Sequence, residues 1–402
     1  MSLLSADAAL ARILDGVSPL GEETVAVGEA DGRVLARDLA AALTQPPFNS
    51  SAMDGYAVFG SAAASPGDRW EVVGQSAAGR GFSGAVSQGQ AVRIFTGAPV
   101  PDGCGTVVIQ ENVTREGDVI VATDATTAGA NIRVAGVDFR AGEIALRRGR
   151  RLDPHALTLA AAMGQASLPV IRRPVVAILA TGDELVPPGT PPGPDQIISS
   201  NPIGLAALVT RAGGTARLLG IAPDKIDAIT ARIRDARDAD VLITIGGASV
   251  GDLDLVGPAL EREGIALDFW KVAIRPGKPL MFGKLGQQRV LGLPGNPVSA
   301  LITARVFLLP LIGALLGAPR ATQTREVATL TAPLDANGPR LHLMRAKLGR
   351  GADGTLSVSP MPSQDSSLLS ALSEADCLIW RGPDADALAP GASVEIERLA
   401  FR

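Results

Sequence analysis

Val175-Val-Ala-Ile-Leu-Ala-Thr-Gly-Asp-Glu-Leu185 runs six apolar residues directly into a glycine turn carrying two acids. A continuous apolar strand, rather than an alternating one, is what a sheet covered by helices on both faces requires. The pattern recurs: Val241 to Ile245 is a second such strand, followed by Gly246-Gly-Ala-Ser-Val-Gly-Asp252. Between them the sequence predicts a helix over Ile203 to Ala212, a strand over Ala216 to Ile221 and a helix over Lys225 to Arg237. Strand and helix alternate with the right-handed crossovers of a doubly wound, mostly parallel α/β sheet. In such a sheet the ligand sits beyond the carboxyl ends of the strands. Two more turns, Arg275-Pro-Gly-Lys-Pro279 and Leu293-Pro-Gly-Asn-Pro297, lie in the same stretch and are expected to meet the first two there.

Working outward, Val186-Pro-Pro-Gly-Thr-Pro-Pro-Gly-Pro194 can continue neither strand nor helix and reads as a surface excursion. Val298 to Gly317 is long and apolar enough to resemble a membrane span, but Arg305 interrupts it and Pro310 follows. A charge near the bilayer centre costs roughly 2.5–3.5 kcal/mol, so the segment is expected to be a buried helix, kinked or ended near Pro310. Past Arg320, five short β-like runs (326–331, 341–348, 355–358, 377–380 and 394–399) fit a compact C-terminal β-barrel.

On the N-terminal side, Ser5 is placed to cap a helix ending at Leu14, and Thr24-Val-Ala-Val27 alternates. Asp31 to Leu43 reads as helix or strand, and Gln45-Pro-Pro-Phe48 breaks the pattern. Glycine-punctuated short β-runs then fill Asn49 to about Asp138, and Asp153-Pro154 opens another helix through Ala166. This gives a discontinuous elongated domain (1–48 and 139–173), an inserted β-rich domain (49–138), the α/β domain (174–318) and the barrel domain (319–402).

With 402 residues, 46% of them hydrophobic and 19% charged, the chain reads as a multi-domain globular protein. A net charge of −4 and the absence of a basic cluster argue against nucleic acid. Cys104, Cys377, His155 and His342 are mutually isolated, so neither a zinc site nor a histidine-based hydrolase is indicated. Met1 to Ile13 lacks the pattern of a secretory signal, which points to a cytoplasmic protein with no membrane association.

The chemistry concentrates in the turns. Gly246, Gly247 and Ser249 let backbone and hydroxyl donors approach an anion, although the Gly-Lys-Ser/Thr ending of a Walker loop is missing. Asp183, Glu184, Asp252 and Asp254 are carboxylates of the kind that hold Mg²⁺ beside phosphates; helix capping is the lesser alternative for Asp252 or Asp254, and the two roles are compatible. Arg275 and Lys278 flank Pro276-Gly277 as a fork and a point charge for a tetrahedral oxyanion. Pro294, Gly295, Asn296 and Pro297 precede a helix and resemble an anion-binding N-terminus.

Taken in order, Ser51-Ala-Met-Asp-Gly-Tyr56, Thr96-Gly-Ala-Pro99, Thr181-Gly-Asp-Glu-Leu185, Gly246-Gly247, Pro276-Gly-Lys-Pro279 and Leu293-Pro-Gly-Asn-Pro297 resemble the molybdopterin molybdenumtransferases, the MoeA and gephyrin E-domain family. The resemblance spans essentially the whole chain and implies four subdomains, a homodimer with clefts built from both subunits, and Mg²⁺-dependent insertion of molybdate into adenylated molybdopterin with release of AMP. It implies catalytic roles for Asp54, Glu184 and Asp254, metal ligation by Glu184, Asp252 and Asp254, and substrate contacts from Thr96, Asp138, Thr181, Gly182, Asp183, Ser200, Asn201 and the Gly246 and Pro294 turns. Arg275, Lys278, Arg345 and Ser366 match its molybdate-handling positions. Asn49 and Ser199 stand where the family commonly has aspartates, Leu255 where it has an aromatic and Arg275 where it has lysine. Other biosynthetic and acceptor proteins of the molybdenum cofactor are the partners implied. A non-catalytic pterin-binding scaffold and a tungstate-inserting homologue are the alternatives.

Overall fold

A computed structural model describes residues 3–247, 255–318, 325–351 and 354–399. Its central sheet has six strands in the order Thr215–Ala222, Val175–Thr181, Val241–Ile245, Gln288–Leu293, Pro279–Leu285 and Ala266–Lys271. The first four are parallel and the last two antiparallel to their neighbours. Successive residues of each central strand point to opposite faces, and both faces are buried. Ile178, Ile243 and Leu291 join one apolar cluster with Leu205, Val209 and Ile302. Leu179, Leu242 and Val290 join another with Ile229, Ile233 and Leu260. That double burial is why these strands read as unbroken apolar runs.

The antiparallel pair follows from Gly286, whose φ of +57° closes a tight turn between the paired residues Leu285 and Gln288. The hairpin reverses Pro279–Leu285, so this strand starts, immediately after Lys278, at the end of the sheet where the parallel strands finish.

The long apolar segment forms a helix over Pro297–Leu315, with two thirds of its most apolar stretch buried inside the protein. Of the two expected outcomes, a kink or an end near Pro310, the helix does not end there. The turn over Ala304–Leu308 is a π-helix between two α-helical stretches. Widening the ladder just before Pro310 accommodates its ring and its missing N–H without a break. Arg305, the charge within the run, pairs with Glu397 and the Arg398 carbonyl on a barrel strand.

Near the N-terminus, Ser5 caps the helix Ala6–Leu14 by accepting the Ala8 N–H at 3.2 Å. Glu22–Ala26 then pairs with Ser167–Ile171, and Leu39–Ala40 with Ile144–Leu146. Between these, the Asp31–Leu43 run is mostly irregular; its amides at Gly32, Leu35 and Ala36 donate to Leu152, Arg150 and Pro169 instead of to a regular ladder. Asp153 caps the helix Pro154–Ala162 as expected. Within this frame the chain builds a separate six-stranded sheet from Gly55–Phe59, Arg69–Ser76, Gln90–Ile94, Cys104–Ile109, Val113–Glu116 and Val119–Ala122.

The C-terminal strands Glu326–Leu330, Leu341–Arg350, Leu356–Pro360, Cys377–Arg381 and Ser393–Arg398 close into a barrel, because Leu341–Arg350 pairs with both Leu356–Pro360 and Cys377–Arg381. A short strand from outside, Ile274–Arg275, joins it in parallel, with Ile274 opposite Leu341 and Arg275 opposite His342. That pairing clamps the Arg275 turn between the α/β sheet and the barrel.

Candidate active site

A cleft of about 750 Å³ opens where the carboxyl ends of the parallel strands face the barrel. Thr181 and Glu184 reach it from the first central strand, Gly246 from the second, and Pro294 to Pro297 from the third. Arg275 to Pro279 enters beside them because the reversed hairpin strand starts here. Ser200, Asn201 and Pro202 contribute the start of one helix, and Gln364, Asp365 and Ser366 a barrel loop.

Glycine is required at several of these points by close approach. Gly246 has φ +87°, and a Cβ there would lie 2.9 Å from the Thr181 carbonyl oxygen. Gly277 has φ +105°, and a Cβ would collide with the Thr303 hydroxyl. The two helices that start at the cleft, Asn201–Ala212 and Pro297–Thr303 with its continuation, are preceded by Ser200 and Asn296, neither of which makes a side-chain cap bond. First-turn amides therefore remain without a side-chain cap at the mouth of a polar cleft, at the positive end of each helix dipole. Asn201 instead donates to the Gly295 carbonyl at 2.6 Å, and Asn296 to the Ser366 hydroxyl at 2.9 Å, tying the three loops together.

The charges are arranged unevenly. Arg275, Lys278, Arg340, Glu184 and Asp365 line the cleft. Asp365 is engaged by the Ser367 amide and hydroxyl, both at 2.8 Å, and these bonds hold its carboxyl below the ordinary range. Glu184 has no side-chain hydrogen bond among the described residues. His342, buried behind the cleft, is pushed down to about 4, first by burial and then by the positive charges of Arg275, Arg340, Arg381 and Arg345.

Three family profiles cover almost the whole chain: "MoeA N-terminal region (domain I and II)" over residues 4–164, "Probable molybdopterin binding domain" over 177–314 and "MoeA C-terminal region (domain IV)" over 327–399. The molybdopterin molybdenumtransferase of Haemophilus influenzae is 35% identical over 404 residues, spanning 98% of each chain. The chain belongs to the molybdopterin molybdenumtransferase family. The enzyme of the same name from Synechococcus elongatus is 39% identical over 77% of this chain and 80% of its own. The crystal structure of the MoeA protein of Pyrococcus horikosii superposes with a TM-score of 0.84 at 28% identity, over all of both chains. The protein is thus a transferase of molybdenum cofactor biosynthesis.

Not every residue expected at the site lines the cleft. Gly182, Asp183 and Gly247 sit just outside it; Asp183 accepts the Asp224 N–H at 3.1 Å. Arg345 is 1% exposed and donates to the carbonyls of Leu368, Ser363 and Asp365 at 3.0, 3.2 and 2.8 Å, bracing the loop that presents Ser366. Asp54, Thr96 and Asp138 lie away from the cleft lining, at the inserted sheet and its return to residue 139. Asp54 accepts both the amide and hydroxyl of Thr96, at 2.8 and 2.9 Å, and these bonds lower its pKa. Ser249, Asp252 and Asp254 fall outside the described residues. Arg340, Gln364, Asp365, Ile197 and Ile198 line the cleft without having been singled out in the sequence. The signal for Arg340 is its place just before the Leu341 strand, which only the long-range pairing with Ile274–Arg275 brings to the cleft.

Proposed function

We propose that the cleft binds adenylated molybdopterin and molybdate, that an oxygen nucleophile, water or a molybdate oxygen, cleaves the phosphoanhydride to release AMP, and that the two dithiolene sulfurs replace one oxo ligand of molybdate, which leaves as water with the two thiol protons. The observation that carries this reading is the convergence of two helix starts without side-chain caps, the Gly246 turn, and Arg275 and Lys278, cations without ion pairs among the described residues, on one cleft. Helix amides and the Gly246 turn suit phosphate oxygens, while Arg275 and Lys278 suit a tetrahedral dianion.

Mg²⁺ fits the donor set. Bound beside substrate phosphates, it takes one or two protein carboxylates and completes its shell with phosphate oxygens and water. Among the described residues no group of three acids, histidines or cysteines is present, but Glu184 offers a carboxylate at the cleft without a side-chain partner. Glu184 would hold the ion, with Asp252 and Asp254 as further candidates; the ion would neutralise charge on the departing phosphate. Arg275 and Lys278 would hold molybdate against the dithiolene until transfer.

A cytoplasmic homodimer completes the proposal. Asp54 and Thr96 are preorganised beside the inserted sheet but do not line the 750 Å³ cleft, and a second copy would bring its own cleft to them. Leu43, Phe48, Val134 and Val137, exposed by 56, 42, 57 and 63%, supply apolar surface for such a contact.

The test is AMP release from adenylated molybdopterin, with and without Mg²⁺ and molybdate. Metal-dependent release stimulated by molybdate, with molybdenum cofactor formed, is the expected result. Absence of release from folded protein that still binds the pterin would leave a scaffold in place of the catalyst.

A further inference from the structure

We propose that Arg340 is a third cation of the oxyanion site, contributed by the barrel to complete the pair that Arg275 and Lys278 form on the α/β side; this rests on the reading above. The ligand class is a tetrahedral dianion, either oxometalate or phosphate.

The barrel's other arginines show what sets Arg340 apart. Arg325 pairs with Glu395 and Arg398 with Glu326, while Arg350 donates to the Gly354 carbonyl. Arg345 and Arg381 are buried and donate to several carbonyls each. Arg340, half-buried, has no side-chain hydrogen bond or ion pair among the described residues, and it lines the cleft. An arginine fork presented without a partner in a polar cleft is suited to two oxygens of one anion.

Its position follows from the strand pairing that joins the two halves of the cleft. Ile274 lies opposite Leu341 and Arg275 opposite His342, so Arg340 immediately precedes the point where the barrel meets the Arg275 turn. The same placement sets both guanidinium groups near His342, where Arg275 and Arg340 are the two largest charge effects opposing its protonation. Three like charges around one cleft repel one another, and a dianion relieves that repulsion.

The experiment is calorimetric titration of the full-length protein with molybdate and, separately, with inorganic phosphate. Arg340→Gln is expected to weaken binding of the dianion on the order of tenfold or more, with Arg340→Lys intermediate because the charge survives but the fork does not. Loss for molybdate alone assigns Arg340 to the oxometalate; loss for phosphate alone, or for both, assigns it to a phosphate or shared position. Wild-type affinity for both anions in Arg340→Gln overturns the inference while leaving the transferase reading intact, whereas a wild-type protein that binds neither overturns both. Should the variant fail to fold, modification of wild-type arginines by phenylglyoxal with site-resolved mass spectrometry decides. Molybdate or phosphate is expected to slow modification at Arg340 as at Arg275, and protection of Arg275 alone overturns the proposal.

Discussion

The two ends of the central sheet are built on opposite principles. At the end where the parallel strands begin, a cavity of about 350 Å³ is lined by Arg237, Asp240, Gln288 and Arg289. These groups are engaged by neighbouring side chains or by the backbone. Asp240 takes a two-pronged bond from Arg172 at 2.8 and 2.6 Å and also the Val175 amide. Gln288 donates to Ala236 and Ala239, Arg237 pairs with Glu263, and Arg289 reaches two carbonyls, leaving only its Nε without a partner. At the opposite end, Arg275, Lys278, Arg340 and Glu184 have no side-chain partners among the described residues. Polar groups that close on themselves contribute to stability; polar groups left without partners in a preformed cleft await a ligand.

The contrast predicts which variants change activity and which change stability. Lys278→Ala is expected to fold normally and to weaken use of molybdate by about 2–5 kcal/mol, less to the extent that the cleft remains hydrated. Activity measured against molybdate concentration checks this, and unchanged dependence removes Lys278 from the site. Acidification is next. Because His342 has its pKa lowered to about 4 in the folded protein, its contribution is fully present above the unfolded value near 6.5 and is lost as pH falls from there toward 4. Up to about 3 kcal/mol is at stake, and denaturant titrations across this range should show the loss in the wild type and lack this component in His342→Gln. Asp240→Asn, at the self-paired end, is expected to cost about 1–3 kcal/mol of stability with little effect on turnover; a loss of turnover in folded protein would break the comparison. The smallest effect belongs to Arg69→Ala, which removes an exposed pair with Glu116 at 2.7 Å and should change stability by less than about 1 kcal/mol.

Much of this was legible in the sequence because it is local. Val175–Thr181 and Val241–Ile245 read as strands buried on both faces, Ser5 and Asp153 as caps, and the glycine turns as strand-end loops, since each depends on residues a few positions apart. What escaped depends on distant partners. The reversal of Pro279–Leu285 rests on one glycine turn and on which neighbour the strand chooses. The docking of Ile274–Arg275 onto the barrel joins segments more than sixty residues apart, and Arg340 is at the cleft only because of it. Arg345 shows the same limit from the other side. Its match to a molybdate-handling position says nothing of the three carbonyls that engage its guanidinium. The continuous helix through Pro310 depends on a π turn that residue preferences do not announce.

The account's central claim is that a tetrahedral dianion binds between the sheet's carboxyl end and the barrel. Anomalous diffraction from crystals soaked in tungstate, a heavy analogue of molybdate, tests it most directly. The account predicts a peak in the cleft within hydrogen-bonding reach of Arg275 and Lys278. A peak only at the opposite cavity beside Arg289, or none in the cleft at a concentration that saturates the protein in solution, would contradict it.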